Sequence, residues 1–264
     1  RPAVEALRRA LRRVPEWAAD EPLLLPDTAA ALTALQADPG LPTRGVIALC
    51  DFGGSGTSIT LAEAGGQAPI GATVRHLDFS GDLIDQALLA HVVAELSAGG
   101  SVDLTSTSAI GSLTHLRAEC RAAKERLSSA SVTALPAELR GFRGDVRLTR
   151  TELDDAIARS LADVVAALHD AMGRAGVRPA DLAAIASVGG GAVIPAVTTA
   201  LSQHLRVPVV TTPRPALTAA IGAALSASRG SADDSVTALS PAPAAIAPVV
   251  AAPFGMALGG GCEV

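Results

Sequence analysis

Val46-Ile47-Ala48-Leu49-Cys50-Asp51-Phe52-Gly53-Gly54-Ser55-Gly56-Thr57 is the stretch on which the fold of this chain turns. Its five leading apolar residues predict a buried strand, and Ser58-Ile59-Thr60-Leu61, alternating in polarity, predicts the return strand of a hairpin. Between them a carboxylate runs into a glycine turn. Glycine has no Cβ and tolerates positive φ, so such a turn lets backbone N–H groups come close to an anion. A second unit of the same kind lies far downstream. There an apolar run over 184–188 leads into Val188-Gly189-Gly190-Gly191, and Pro195 is placed to open the helix behind it. Two separated glycine turns, each at the end of a buried strand, point to a nucleotide phosphate held between two loops. Each turn also has a plain structural reading, as a hairpin turn or as close strand–helix packing.

Composition narrows the classes. Of 264 residues 49% are hydrophobic and only 2% aromatic, so the core must be built from Ala, Val, Leu and Ile in close helix–sheet contact. A formal charge of -5 and the lack of any long Lys or Arg run exclude a nucleic-acid footprint. Cys50, Cys120 and Cys262 show no CxxC spacing, and the first two read as small buried hydrophobes. The histidines at 76, 91, 115, 169 and 204 are dispersed, which argues against zinc, and neither a GxSxG nor a Walker A pattern occurs. No basic segment followed by an apolar stretch opens the sequence, and a cytoplasmic location is expected. The uncharged stretch Ser235 to Cys262 is broken by Pro241, Pro243, Pro248 and Pro253, which predicts an extended tail over 229–264 rather than a membrane span.

The remaining pattern alternates strands and helices. A first helix places Val4, Leu7, Leu11 and Val14 opposite Arg8, Arg9, Arg12 and Arg13. Leu23-Leu24-Leu25 reads as a short strand, and Asp27-Thr28 as the cap of a helix from Ala29 to Leu35 that Asp38-Pro39-Gly40 ends. Ser80 caps a helix carrying Leu83, Ile84, Leu88, Val92 and Leu96, which Gly99-Gly100 stops, and a further helix runs from about Leu113 to Leu127. Arg140 to Leu148 reads as strands joined by tight turns. Thr149 and Glu152 then form a capping box for a long helix with the stripe Ile157, Leu161, Val164, Leu168, Met172. A strand from Val207 to Thr211 and a helix around 216–226 follow. The fold class is α/β.

The order of these elements resembles the nucleotide-binding domain of the seventy-kilodalton heat-shock chaperones (DnaK-like), within the actin-like ATPase superfamily with its ribonuclease H-like fold. The resemblance runs from Leu23 to about Leu225. It rests on Asp27-Thr28-Ala29-Ala30-Ala31, Asp51-Phe52-Gly53-Gly54, Ser80-Gly81-Asp82-Leu83-Ile84-Asp85, Cys120 to Ser129, Leu148-Thr149-Arg150, Val188 to Pro195 and Ala220-Ile221-Gly222-Ala223-Ala224. It implies that 1–40 ends a first lobe, that 41–79 and 148–228 form the base of the second lobe, and that 80–147 form its outer subdomain. The family's first phosphate-binding hairpin and catalytic Lys would precede Arg1.

By the same resemblance the ligand is ATP or ADP with Mg²⁺. Asp51 would hold water around the metal, or else cap its own turn. Gly53, Gly54 and Ser55 would offer N–H groups to the β- and γ-phosphates, and Gly189, Gly190 and Gly191 would run against the adenosine phosphates. Lys124 and Ser128 would touch the nucleoside from a helix face that also carries Arg121 and Glu125 at i, i+3, i+4 and i+7, a face that otherwise reads as solvated. The chain departs from the family pattern at Pro26, Gly56, Ser58, Arg121, Glu125 and Val193. Gly56 and Ser58 stand where a Thr and a second acid are usual, so hydrolysis should be weak or absent. The expectation is a nucleotide-dependent conformational switch with a protein partner or client. The alternatives are a pseudo-ATPase scaffold that no longer binds nucleotide, and a sugar or acetate kinase of the same superfamily.

Overall fold

The computed structural model describes residues 2–15, 22–98 and 109–238. The Gly99-Gly100 stop, Cys262 and the proline-rich tail past 238 lie outside the described residues. In chain order the strands are β1 (Val46–Phe52), β2 (Thr57–Glu63), β3 (Pro69–His76), β4 (Val132–Leu139), β5 (Phe142–Thr149), β6 (Leu182–Val188) and β7 (Val209–Val210). The helices are α1 (Pro2–Leu11), α2 (Asp27–Ala37), α3 (Gly81–Ala98), α4 (Ala109–Leu127), α5 (Arg150–Arg174), α6 (Pro195–Leu205) and α7 (Thr218–Ala238).

Five strands form one mixed sheet in the order β3-β2-β1-β6-β7, antiparallel across β1 to β3 and parallel from β1 through β6 to β7. β4 and β5 make a separate antiparallel hairpin. The central strands read as continuous apolar runs because both faces are covered. Ile47 and Leu49 of β1 pack with Ala186 and Val188 of β6 and with Ala31, Leu32 and Leu35 of α2. Ala48, Cys50 and Phe52 point the other way, into a larger core with Ile59, Leu61 and Ile185 and the apolar stripes of α3, α5 and α6. Among the described helices none is long and apolar enough to cross a membrane.

Several local signals are realised as the sequence predicts. The Thr149 hydroxyl accepts from the Glu152 N–H at 3.2 Å while the Glu152 carboxylate accepts from the Thr149 N–H at 2.7 Å, which completes the capping box of α5. The Ser80 hydroxyl accepts from the Leu83 N–H at 3.2 Å at the head of α3. Cys50 and Cys120 are unpaired and buried, and burial pushes each thiol up to about 12, with carboxylates nearby adding to the effect.

Others differ for physical reasons. Leu23, Leu24 and Leu25 form no strand among the described residues, and Leu23 is 70% exposed. Three apolar residues without a neighbour to pair with do not hold strand geometry. Asp27 is the first residue of α2 rather than its cap, with Pro26 in the cap position and the Thr28 N–H donating to the Asp27 carboxylate at 2.8 Å. β4 escapes the sequence pattern because Pro136 sits inside it, a position that a two-stranded ribbon tolerates where it needs no ladder donor. The strand expected over Val207 to Thr211 shortens to Val209–Val210. The α1 stripe is uncovered, with Val4 and Leu7 both exposed.

Candidate functional site

Strand alternation decides which way the first glycine turn presents its chemistry. Asp51 continues the Ile47 and Leu49 side of β1, toward α2, whereas Phe52 turns to the opposite core and meets Phe79 edge-on with ring centroids 5.8 Å apart. Ser58 of β2 and Val188 of β6 stand in register with Asp51. On the same side the hydroxyls of Thr60 and Thr73 are 2.8 Å apart. With Asp27 and Thr28 from the start of α2, these residues line a cavity of about 360 Å³ that Gly189 and Pro215 close. Burial raises the Asp51 carboxyl above the usual aspartate range, the charge of Asp27 raises it further, and Arg75 pulls it back.

Gly189 belongs to this cavity for a steric reason. Its φ is +86°, and a Cβ there would run into the Asp51 carboxylate and stand 2.6 Å from the Phe52 carbonyl oxygen. Only glycine allows the second turn to lie this close to the first. Its N–H is held by the Pro215 carbonyl at 3.0 Å.

A second cavity, of about 190 Å³, opens between the two turns, the start of α3 and one face of α4. Six residues singled out from the sequence line it together: Gly53, Gly54, Lys124, Ser128, Gly190 and Gly191. α4 presents the expected i, i+3, i+4, i+7 face because its other side, Leu116, Cys120, Ala123 and Leu127, is fully buried. Arg150 fixes the end of this helix by donating to the Leu127 and Ala130 carbonyls, both at 2.9 Å. Arg121 and Glu125 pair at 3.6 Å on the cavity rim but are 65% and 66% exposed, so the pair contributes at most about 1 kcal/mol. Val193, 42% exposed, adds an apolar wall.

Within that cavity some groups are already engaged. The Lys124 ammonium lies 2.6 Å from the Asp85 carboxylate as an ion pair and donates to the Gly81 carbonyl at 3.0 Å. The Ser128 hydroxyl donates to the Lys124 carbonyl at 3.4 Å. The Gly53 N–H donates to the Gly56 carbonyl at 3.0 Å inside its own turn. The carbonyls of Gly53 and Gly54 in turn accept from the Gly81 and Asp82 N–H groups at 3.0 and 2.9 Å, which clips the turn to the head of α3. Ser55 lines neither cavity, and its hydroxyl accepts from Arg75 at 3.0 Å.

Asp51 and Asp27 are the carboxylates of the larger cavity, and among the described residues no group of three or more His, Cys, Asp or Glu side chains converges on a metal position. Magnesium keeps most of its waters and is commonly held by one or two carboxylates plus substrate phosphates. This donor set fits an ion that arrives on a phosphate chain and does not by itself retain one. Sequence reasoning missed Arg75 and Asp85 as parts of the site. Asp85 sits in a recognised segment without an evident role, and Arg75 becomes visible only through the β2–β3 register that sets it opposite Ser58.

The family described as Hsp70 protein matches residues 26–240 of this chain. The chain is 33% identical over 227 residues to a chaperone protein HscA homolog of Azotobacter vinelandii (strain DJ / ATCC BAA-1303), an alignment covering 84% of this chain and 34% of that protein. It is 30% identical over 158 residues to a chaperone protein DnaK of Cenarchaeum symbiosum (strain A), covering 57% and 24%. A heat shock cognate HSP70 protein of Trypanosoma brucei brucei is 29% identical over 162 residues, covering 59% and 24%. The chain spans about a third, or less, of the length of these curated relatives. Joined to a mixed sheet whose two glycine turns meet beside Asp51, this match over most of the sequence means that the chain belongs to the Hsp70 family and carries its actin-like ATPase fold.

Proposed function

We propose that this chain is the nucleotide-binding portion of a chaperone-like switch, which binds ATP or ADP and hydrolyses it weakly or not at all. The observation that carries this reading is the convergence of Gly53, Gly54, Gly190 and Gly191 with Lys124 and Ser128 on one cleft. The nucleoside would lie against α4, and the phosphates would run past the glycine turns toward Asp51, where water held by the carboxylate meets Mg²⁺ brought in on the phosphates. Weak turnover follows from Ser58 and Gly56, since phosphoryl transfer depends on positioned charge and both positions lack it. In this reading 1–40 complete a first lobe, 41–79 and 148–228 form the base of the second, 80–147 its outer subdomain, and 229–264, helical as the end of α7 up to Ala238 rather than extended from its start, a tail toward a client or partner. Two unpaired buried cysteines suit a reducing compartment such as the cytoplasm.

Calorimetry on the intact protein with ATP, ADP and AMP tests the proposal. Saturable heat with ADP supports it, and no heat up to millimolar ligand overturns it. A second reading, a scaffold that no longer binds nucleotide, draws support from the engagement of Lys124 by Asp85 and of the Gly53 N–H by Gly56. A melting temperature unmoved by nucleotide would favour the scaffold.

A further inference from the structure

The first glycine turn carries a cation that its own sequence does not contain. Arg75, in β3, pairs in register with Ser58, and its guanidinium donates to the Ser58 hydroxyl at 2.9 Å and to the Ser55 hydroxyl at 3.0 Å. It lies directly on Gly56: a Cβ at that position would meet Nε at 2.9 Å and Nη2 at 3.0 Å. The seat therefore exists because residue 56 is glycine, and the two serines fix the plane of the fork. Ser58 also lines the larger cavity with Asp51, while Gly53 and Gly54 of the same turn line the smaller one. Arg75 itself lines neither cavity; its guanidinium is tied to the turn beside them and lies within Coulomb range of Asp51.

A phosphate chain crossing from the Lys124 side toward Asp51 meets two carboxylates, Asp51 and Asp27, and the Lys124 ammonium is already paired with Asp85. Some positive charge must offset that field. Guanidinium is always protonated and offers five N–H donors in a fork that matches phosphate oxygens. Two donors hold the serines, which leaves three of the five N–H groups outside that seat.

Resting on the nucleotide reading above, we propose that Arg75, seated on Gly56 between Ser55 and Ser58, receives the phosphates of the bound nucleotide and takes over most of the charge neutralisation that Mg²⁺ arriving with them would otherwise supply. The substitutions at 56 and 58 are then linked: one makes room for the guanidinium and the other anchors it.

The test is titration of the intact chain with ADP and with adenosine, each in excess Mg²⁺ and in EDTA. Wild type is expected to bind ADP in EDTA within about threefold of its affinity in Mg²⁺. Arg75→Ala is expected to lose about tenfold or more of its ADP affinity in EDTA, the usual scale of a charge-assisted hydrogen bond, while adenosine binding stays unchanged. Arg75→Lys should recover part of the loss. Adenosine and ADP binding that Arg75→Ala leaves untouched, or wild-type ADP binding that EDTA abolishes, overturns the role of Arg75 and leaves the nucleotide site standing. Failure of wild type to bind ADP and adenosine alike overturns the nucleotide reading and this role with it. Arg75 is exposed on a sheet edge, and an unchanged melting temperature of the ligand-free variants separates a binding defect from misfolding.

Discussion

The Lys124 ammonium and the Asp85 carboxylate meet at 2.6 Å with side chains only 12% and 5% exposed, which makes them a buried ion pair tying α4 to α3 beneath the smaller cavity. Burying two charges is worthwhile only while each has the other. Lys124→Ala is expected to destabilise the chain by about 3–5 kcal/mol, since Asp85 is left buried and unpaired. The double change Lys124→Met with Asp85→Leu should fall much closer to wild type. Urea unfolding of the three proteins checks this, and equal losses from the single and double variants would refute it.

Asp51 should report its surroundings through pH. Its folded carboxyl is raised above the ordinary value of 3.8, first by burial and then by Asp27, so the folded state holds that proton more tightly than the unfolded state. No penalty exists below the ordinary aspartate value, and stability is lost as pH rises through the raised one. Asp51→Asn is therefore expected to be more stable than wild type at neutral pH without ligand and to flatten the profile in that window. Thermal melts across mildly acidic to neutral pH measure it.

Gly189→Ala combines a left-handed backbone with a collision against Asp51 and Phe52. A loss on the order of 3 kcal/mol is expected, part of it backbone strain and part contact. The same change at Gly190, where a Cβ meets nothing within 4 Å, should be tolerated. Comparing the melting temperatures of the two variants decides it.

The α5 capping box offers a local check. Glu152→Ala removes the carboxylate that accepts from the Thr149 N–H and hydroxyl, leaves the backbone N–H at that position on the Thr149 hydroxyl, and should cost about 1 kcal/mol. The Thr149 hydrogen bonds hold the Glu152 carboxyl below its ordinary value, so the cap's contribution is present above that ordinary value and is lost as pH falls through the lowered one. At a pH below both values the variant and wild type should converge.

Much of the site was legible because it is written in backbone-driven residues. Gly53, Gly54, Gly190 and Gly191 follow apolar runs long enough to be strands, and Lys124 and Ser128 fall on one face of a helix whose other face is plainly apolar. What stayed hidden depends on register between strands. Nothing local to Arg75 announces that it sits opposite Ser58, and nothing near Asp85 reveals that it faces a lysine a whole helix away. Leu23 to Leu25 misled in the opposite sense, since an apolar triplet is a strand only when another strand takes its hydrogen bonds.

The carbonyls of Gly53 and Gly54, held by the first N–H groups of α3, join the first glycine turn to a helix that in turn grips Lys124 of α4. A shift of the turn would pull on both helices, because each joint in that linkage is a short polar contact. A guest seated at the turn would act on a lever whose far arm is the entire α3–α4 layer.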